Sequence, residues 1–220
     1  MKFITMLLLA TMALFTSTAH GAYKPNYQKN KFPSQWLLEK TSSDAPIAAS
    51  TVNVLSVNEG SSTGATTPTV TSFLAQPDVP RNLVITPSGT TADVAAGNVV
   101  VSGTDIHDNA ISESFVFAAN ASTATTGSKA FKTISSVLFP AEDSPFNAVW
   151  SIGVGAKLGL GGCLDGAGWY LKGLVDGVDL TGSTVAADND EVSKNTVIPN
   201  PAPDAARDFD LMFFPNYKCY

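Results

Sequence analysis

Residues 150 to 162 read WSIGVGAKLGLGG, and their period of two constrains the fold more than any other stretch. Trp150, Ile152, Val154, Ala156, Leu158 and Leu160 fall on one face. Ser151, Gly153, Gly155, Lys157, Gly159 and Gly161 fall on the other. Successive side chains of a pleated strand point to opposite sides, so the run predicts a strand with one apolar face and one nearly bare face. Five glycines and a lysine also invite comparison with a phosphate-binding loop. A dinucleotide loop needs Gly-x-Gly-x-x-Gly between a strand and a helix; here the third glycine comes one residue late, at Gly159, and no helical pattern follows. A nucleoside-triphosphate loop needs Gly-Lys-Ser/Thr, whereas the order here is Gly155-Ala156-Lys157-Leu158. Bare glycines weaken a strand unless something packs closely on them. A neighbouring backbone or an aromatic ring, Trp169 or Tyr170, is expected to fill that space.

The same texture recurs along the chain. RNLVIT, GNVVVSGTD, ISESFVFAAN and AFKTISSVLFP are short β-branched or apolar runs separated by Gly, Pro, Asn and Asp. In ISESFVFAAN, Ile111, Glu113, Phe115 and Phe117 share one face, and Ser112, Ser114, Val116 and Ala118 share the other. Strands at such spacing predict an all-β, antiparallel β-sandwich or jelly-roll-like domain. Only 15% of residues are charged, and no long run of helix formers alternates with the strands, which argues against a doubly wound α/β sheet. The acidic stretch VAADNDEVSKNTVIPNPAPDAARD is expected to be a long loop, because Pro199, Pro201 and Pro203 interrupt any ladder. DFDLMFFP then reads as a closing strand with Phe209, Leu211 and Phe213 on one face.

Three regions are expected. Residues 1–22 carry one lysine, an apolar run from Phe3 to Phe15 and small residues at Ala19 and Gly21, the pattern of a secretory signal peptide; a misassigned start or a buried N-terminal arm are the alternatives. Residues 23–75 read as an arm and linker with short strands, including STVNVLSV and PTVTSFLA. Residues 76–220 form the sandwich. In the arm, Lys24, Lys29, Lys31 and Lys40 alternate with Tyr23, Tyr27, Phe32 and Trp36, a mixture that suits single-stranded nucleic acid or an acidic protein neighbour. The formal net charge of −6 favours the protein neighbour, so Phe32, Trp36, Leu37 and Leu38 are the candidate assembly residues and no nucleic-acid partner is expected.

Candidate chemistry is sparse. Asp105, His107 and Asp108 lie close in GTDIHDNA, but a hairpin turn accounts for them better than a metal corner. DNDE, residues 188 to 191, lacks the ligand spacing of a calcium loop and reads as a solvated acidic loop. No nucleophile elbow is present. No catalytic, cofactor-binding or metal-binding residue is assigned, and no small-molecule substrate is expected. Export would permit a disulfide between Cys163 and Cys219, whereas in a reducing cytoplasm both would stay thiols.

Five pieces in order, QPDVPRNLVIT, GNVVVSGTDIHDNAISESFVF, GSKAFKTISSVLFP, VWSIGVGAKLGL and DFDLMFFP, resemble a domain found among tailed-bacteriophage virion proteins. The resemblance covers about two-thirds of the chain. It implies a β-sandwich virion component on the head surface, a capsid decoration or cement protein. The implied partners are the major capsid protein or other virion proteins and further copies of the chain. A cleaved leader would instead imply an exported cell-surface or filament-forming subunit.

Overall fold

The computed structural model describes residues 38–59, 69–89, 91–141, 148–216 and 219, all within the unit Gln35–Tyr220. In chain order the strands are β1 (Glu39–Ser43), β2 (Leu55–Glu59), β3 (Thr69–Val70), β4 (Arg81–Gly89) and β5 (Gly97–Thr104). Next come β6 (Ala110–Phe117), β7 (Thr125–Thr126), β8 (Thr133–Leu138), β9 (Ala148–Gly159) and β10 (Tyr170–Val175). The last are β11 (Val178–Asp179), β12 (Thr184–Ala186), β13 (Thr196–Ile198) and β14 (Phe209–Phe213). Three short 3₁₀ turns complete the regular structure, with no α-helix among the described residues.

The strands form three antiparallel sheets. Their orders are β1-β14-β10-β11, then β12-β13-β9-β4-β7 with β2 also on β9, then β3-β8-β5-β6. The fold is all-β and sandwich-like, as the strand pattern predicts. The predicted faces of β6 hold: Phe115 and Phe117 are buried, Ile111 and Glu113 half-buried, and Ser112, Ser114 and Val116 exposed.

Two apolar cores result. The first gathers Leu83 and Ile85 from β4, Val99 and Val101 from β5, Phe115 and Phe117 from β6, and Trp150, Ile152 and Val154 from β9. Trp150 meets Phe117 edge-on at 4.9 Å between ring centroids. The second core gathers Leu158 and Leu160 with Leu164, Val197, Phe209, Leu211 and Phe213. The long apolar face of residues 150 to 160 therefore serves both cores in turn.

Four expectations are corrected. First, of the two fillers expected for the glycine face of β9, the neighbouring backbone is found at Gly153, whereas Trp169 and Tyr170 are not there. A Cβ on Gly153 would strike the main chain of Ser50, one on Gly155 the Asn82 amide, and one on Gly159 the Ala130 Cβ and Pro80. The ring of Trp169 stands against Phe214 instead. Second, the body starts well before residue 76. β1 pairs with β14, β2 with β9 and β3 with β8, because each supplies a neighbour to a strand that would otherwise end its sheet or ladder. Third, STVNVLSV is a strand only from Leu55. Before it, Ser50 and Val54 donate to the carbonyls of Val154 and Ile152, while the Asn53 side chain accepts the Val154 N–H, so a side chain replaces one rung of the ladder. Fourth, the acidic stretch contains β13 and all but the first residue of β12, which pair before the prolines are reached. Residues 1–22, Phe32, Trp36 and Leu37 lie outside the described residues; Leu38 is exposed.

Candidate functional site

Four polar clusters sit on this frame. The first is built on Arg81, at the start of β4 and fully buried. Opposite it, β9 bulges: a step from Arg81 to Leu83 on β4 matches a step from Leu158 to Val154 on β9. The two extra residues on β9 are an even number, so Val154 and Leu158 keep the same facing on either side of the bulge. Arg81 fills the bulge, with Nε and Nη2 donating to the Gly155 carbonyl at 2.9 and 2.5 Å and Nη1 donating to the Ile47 carbonyl at 2.6 Å. Nη1 also lies 3.3 Å from Asp78 Oδ1. Burial pulls the Arg81 pKa below its ordinary value, and the Asp78 carboxylate opposes that pull.

Asn82, also fully buried, finishes the bulge by accepting the Lys157 N–H at 2.9 Å. The Lys157 ammonium donates to the Gly127 carbonyl at 2.8 Å. The lysine that suggested a phosphate loop thus ties β9 to the segment after β7.

The second cluster is the β5–β6 turn. Asp105 Oδ1 accepts the N–H groups of His107 and Asn109, each at 2.9 Å, which is how an Asp closes a tight turn. Asp108 adopts a left-handed φ of 66° and pairs with Lys132 at 2.8 Å. His107 Nε2 lies 2.7 Å from the Gly161 carbonyl, fastening the turn to the loop after β9. Asp105, His107 and Asp108 point to three different neighbours, so the turn expectation describes them correctly.

The third cluster refines the solvated-loop expectation for residues 188 to 191: they form a loop with Asn189 and Asp190 exposed, but Asp188 and Glu191 are half-buried and partnered. Asp188 Oδ1 accepts the N–H groups of Asp190 and Glu191. Glu191 pairs with Lys129 at 2.5 Å and Lys194 at 2.9 Å, and accepts from Ser193 Oγ at 2.7 Å. Burial works against the ionised Glu191 carboxylate, but hydrogen bonds from Lys129, Lys194 and Ser193, with the attraction of Lys129, outweigh it and hold the pKa down at about 2. Beneath the loop, buried Asn195 accepts from the N–H groups of Leu164 and Asp188 and donates to the Glu191 carbonyl, each at 2.9 Å.

The fourth feature is the Cys163–Cys219 disulfide, with 6.1 Å between Cα atoms. Backbone pairing between Cys163 and Asn216 brings the chain end to the loop after β9, and the Asn216 amide donates to the Asp165 carboxylate.

The bracing roles of Arg81 and Asn195 escape sequence reasoning: Arg81 stands in the piece QPDVPRNLVIT, but nothing there names its partners, and Asn195 stands in none of the five pieces. A lone arginine between Pro80 and an apolar run is the one available signal for the first. Among the described residues no three His, Cys, Asp or Glu side chains converge as metal ligands. The polar groups of all four clusters are directed at main-chain atoms or at one another, which is the chemistry of a braced frame. Compared with known proteins, the chain matches no family model, no curated protein and no solved structure.

Proposed function

We propose that this chain is a non-enzymatic structural protein of a virion, a decoration or cement protein on the head surface of a tailed bacteriophage. The observation that carries the reading is a coincidence between motif and frame. RNLVIT lies in β4, GNVVVSGT in β5, ISESFVF in β6, TISSVL in β8, SIGVGAKLG in β9 and FDLMF in β14. The pieces that resemble phage virion proteins are the strands that carry both cores. Such a protein acts mechanically: it buries interface against the major capsid protein or other virion proteins, at about 25 cal/mol per Å² of apolar surface, and so opposes outward pressure. The test is to mix the purified chain with particles lacking it. Co-sedimentation at saturable stoichiometry, with a raised disruption temperature of the particles, is the expected result; a chain that stays in the supernatant overturns the reading.

One observation favours a second reading, an exported surface or filament subunit. Cys163 and Cys219 are joined, and disulfides persist in oxidising compartments. Intact-mass measurement on native material separates the two: loss of residues 1–22 supports export, and a full-length chain on particles supports the virion.

A further inference from the structure

The sheet edges of the described body are unequal. β3, β7 and β11 have two residues each, β12 has three, and β1 and β2 have five. β6 has eight, in unbroken register with β5, and it ends the sheet order β3-β8-β5-β6. Among the described residues nothing pairs with its outer side. Edge strands are ordinarily guarded by shortness, proline, lysine, a bulge or an inward-pointing charge; β6 has no proline, lysine or bulge, and its one inward charge, Glu113, is engaged by Ser128 within the same chain.

Its charge pattern points the same way. The outward side chains are Ala110, Ser112, Ser114 and Val116, all exposed, with Val116 at 72%. The one charged residue, Glu113, faces inward and accepts from the N–H and Oγ of Ser128 at 2.6 and 2.8 Å. The neutral rows continue inward across the sheet, Ser112 beside Ser102 and Ser136, Ser114 beside Val100 and Leu138. With a formal net charge of −6, two copies repel over much of their surface, and this face brings no charge to a contact.

We propose that β6 pairs antiparallel with β6 of a second copy across a two-fold axis, so that two four-stranded sheets become one of eight strands. Residues directly opposite in an antiparallel pair share a face, so the axis passes through a residue and not between two. An axis at Glu113 would set two carboxylates against each other on the packed side. An axis at Ser114 sets Ser114 against Ser114, Ser112 against Val116, Glu113 against Phe115 and Ile111 against Phe117. That is the longest overlap free of like charges, and the structure assigns it. The pairing goes beyond the virion reading and stands or falls without a particle.

The test uses the full chain alone, by sedimentation velocity across a concentration series. The wild type is expected to pass from one to two copies. Ser114→Lys places two ammonium groups together at the axis from an exposed position, and is expected to weaken dimerisation about tenfold or more while the melting temperature stays within a few degrees. A short bismaleimide, with Cys163–Cys219 kept oxidised, is expected to link Ser114→Cys to itself at least about tenfold faster than Val116→Cys, whose partner residue is Ser112. A wild type that stays monomeric overturns the pairing. So does a Ser114→Lys chain that dimerises as tightly as wild type, or faster linking at Val116→Cys. If Ser114→Lys fails to fold, the crosslinking order decides.

Discussion

The guanidinium of Arg81 donates twice to one carbonyl, that of Gly155, at 2.9 and 2.5 Å, at the point where β9 passes from one core to the other. A bulge leaves main-chain groups without ladder partners, and a buried carbonyl without a donor is costly. Arg81→Met keeps the volume but strands the carbonyls of Gly155 and Ile47, while the Asp78 carboxylate keeps the Ile47 N–H and its contact with solvent. Removing one member of such a buried set typically costs about 3–5 kcal/mol. Urea unfolding should show that loss, and Arg81→Lys should recover only part of it, because an ammonium cannot present two parallel N–H groups. A change within about 1 kcal/mol for Arg81→Met would mean that water or a backbone shift replaces the side chain.

Two glycines give a paired test of the covered face of β9. Gly153→Ala drives a methyl into the main chain of Ser50, which cannot rotate aside as a side chain would. The expected cost is about 1–3 kcal/mol. At Gly166 no atom lies within 4 Å of the added carbon, and its φ of 172° is ordinary extended backbone. Gly166→Ala should be neutral or stabilise by up to about 1 kcal/mol. Differential scanning calorimetry on both variants checks the ordering, and equal melting temperatures would refute it.

Glu191 makes the loop acid-sensitive. Its pKa is lowered from 4.5 to about 2, so the folded state binds its proton less readily than the unfolded chain does. The resulting stability is fully present above about pH 4.5 and is lost as pH falls toward about 2. Allowing for solvent screening, about 1–2 kcal/mol is at stake. Glu191→Gln should flatten the stability profile between those limits relative to wild type. Parallel curves for the two proteins would remove Glu191 as the cause.

The β5–β6 turn should divide its stability unevenly. His107→Asn loses the contact to the Gly161 carbonyl but leaves both acceptor bonds of Asp105 in place. The site is exposed, so about 0.5–1 kcal/mol is expected. Asp105→Ala removes both turn-closing bonds from a buried position and should cost more, about 1–3 kcal/mol. Thermal melts of the two variants give the order, and a larger effect at His107 would reverse this account.

The strands were legible because their signal is local. Alternation along Trp150–Leu160 and Ile111–Phe117 follows from pleat geometry, whatever lies opposite. What covers a bare face is not local: Ser50 reaches Gly153 from about a hundred residues away in sequence, and nothing in either stretch names the other. The same holds for Arg81 and Asn195, whose polar atoms acquire meaning only once Gly155 and Leu164 are brought beside them. Residues 39–59 read as arm and linker because their hydrophobic pattern is weak. They join the body through main-chain pairing with β14 and β9, which composition does not register.

The antiparallel pairing of β1 with β14 sets Glu39 opposite Phe213. Tension applied between those two points would peel the pair apart rung by rung, the weakest way to load two strands. The Cys163–Cys219 bond reroutes any pull arriving at Cys219. The load then passes by a covalent link to Cys163, just beyond β9, and bypasses β14. A tether fixed near residue 219 would be anchored in the strand that crosses both cores, while one fixed at Phe213 would rest on a zipper.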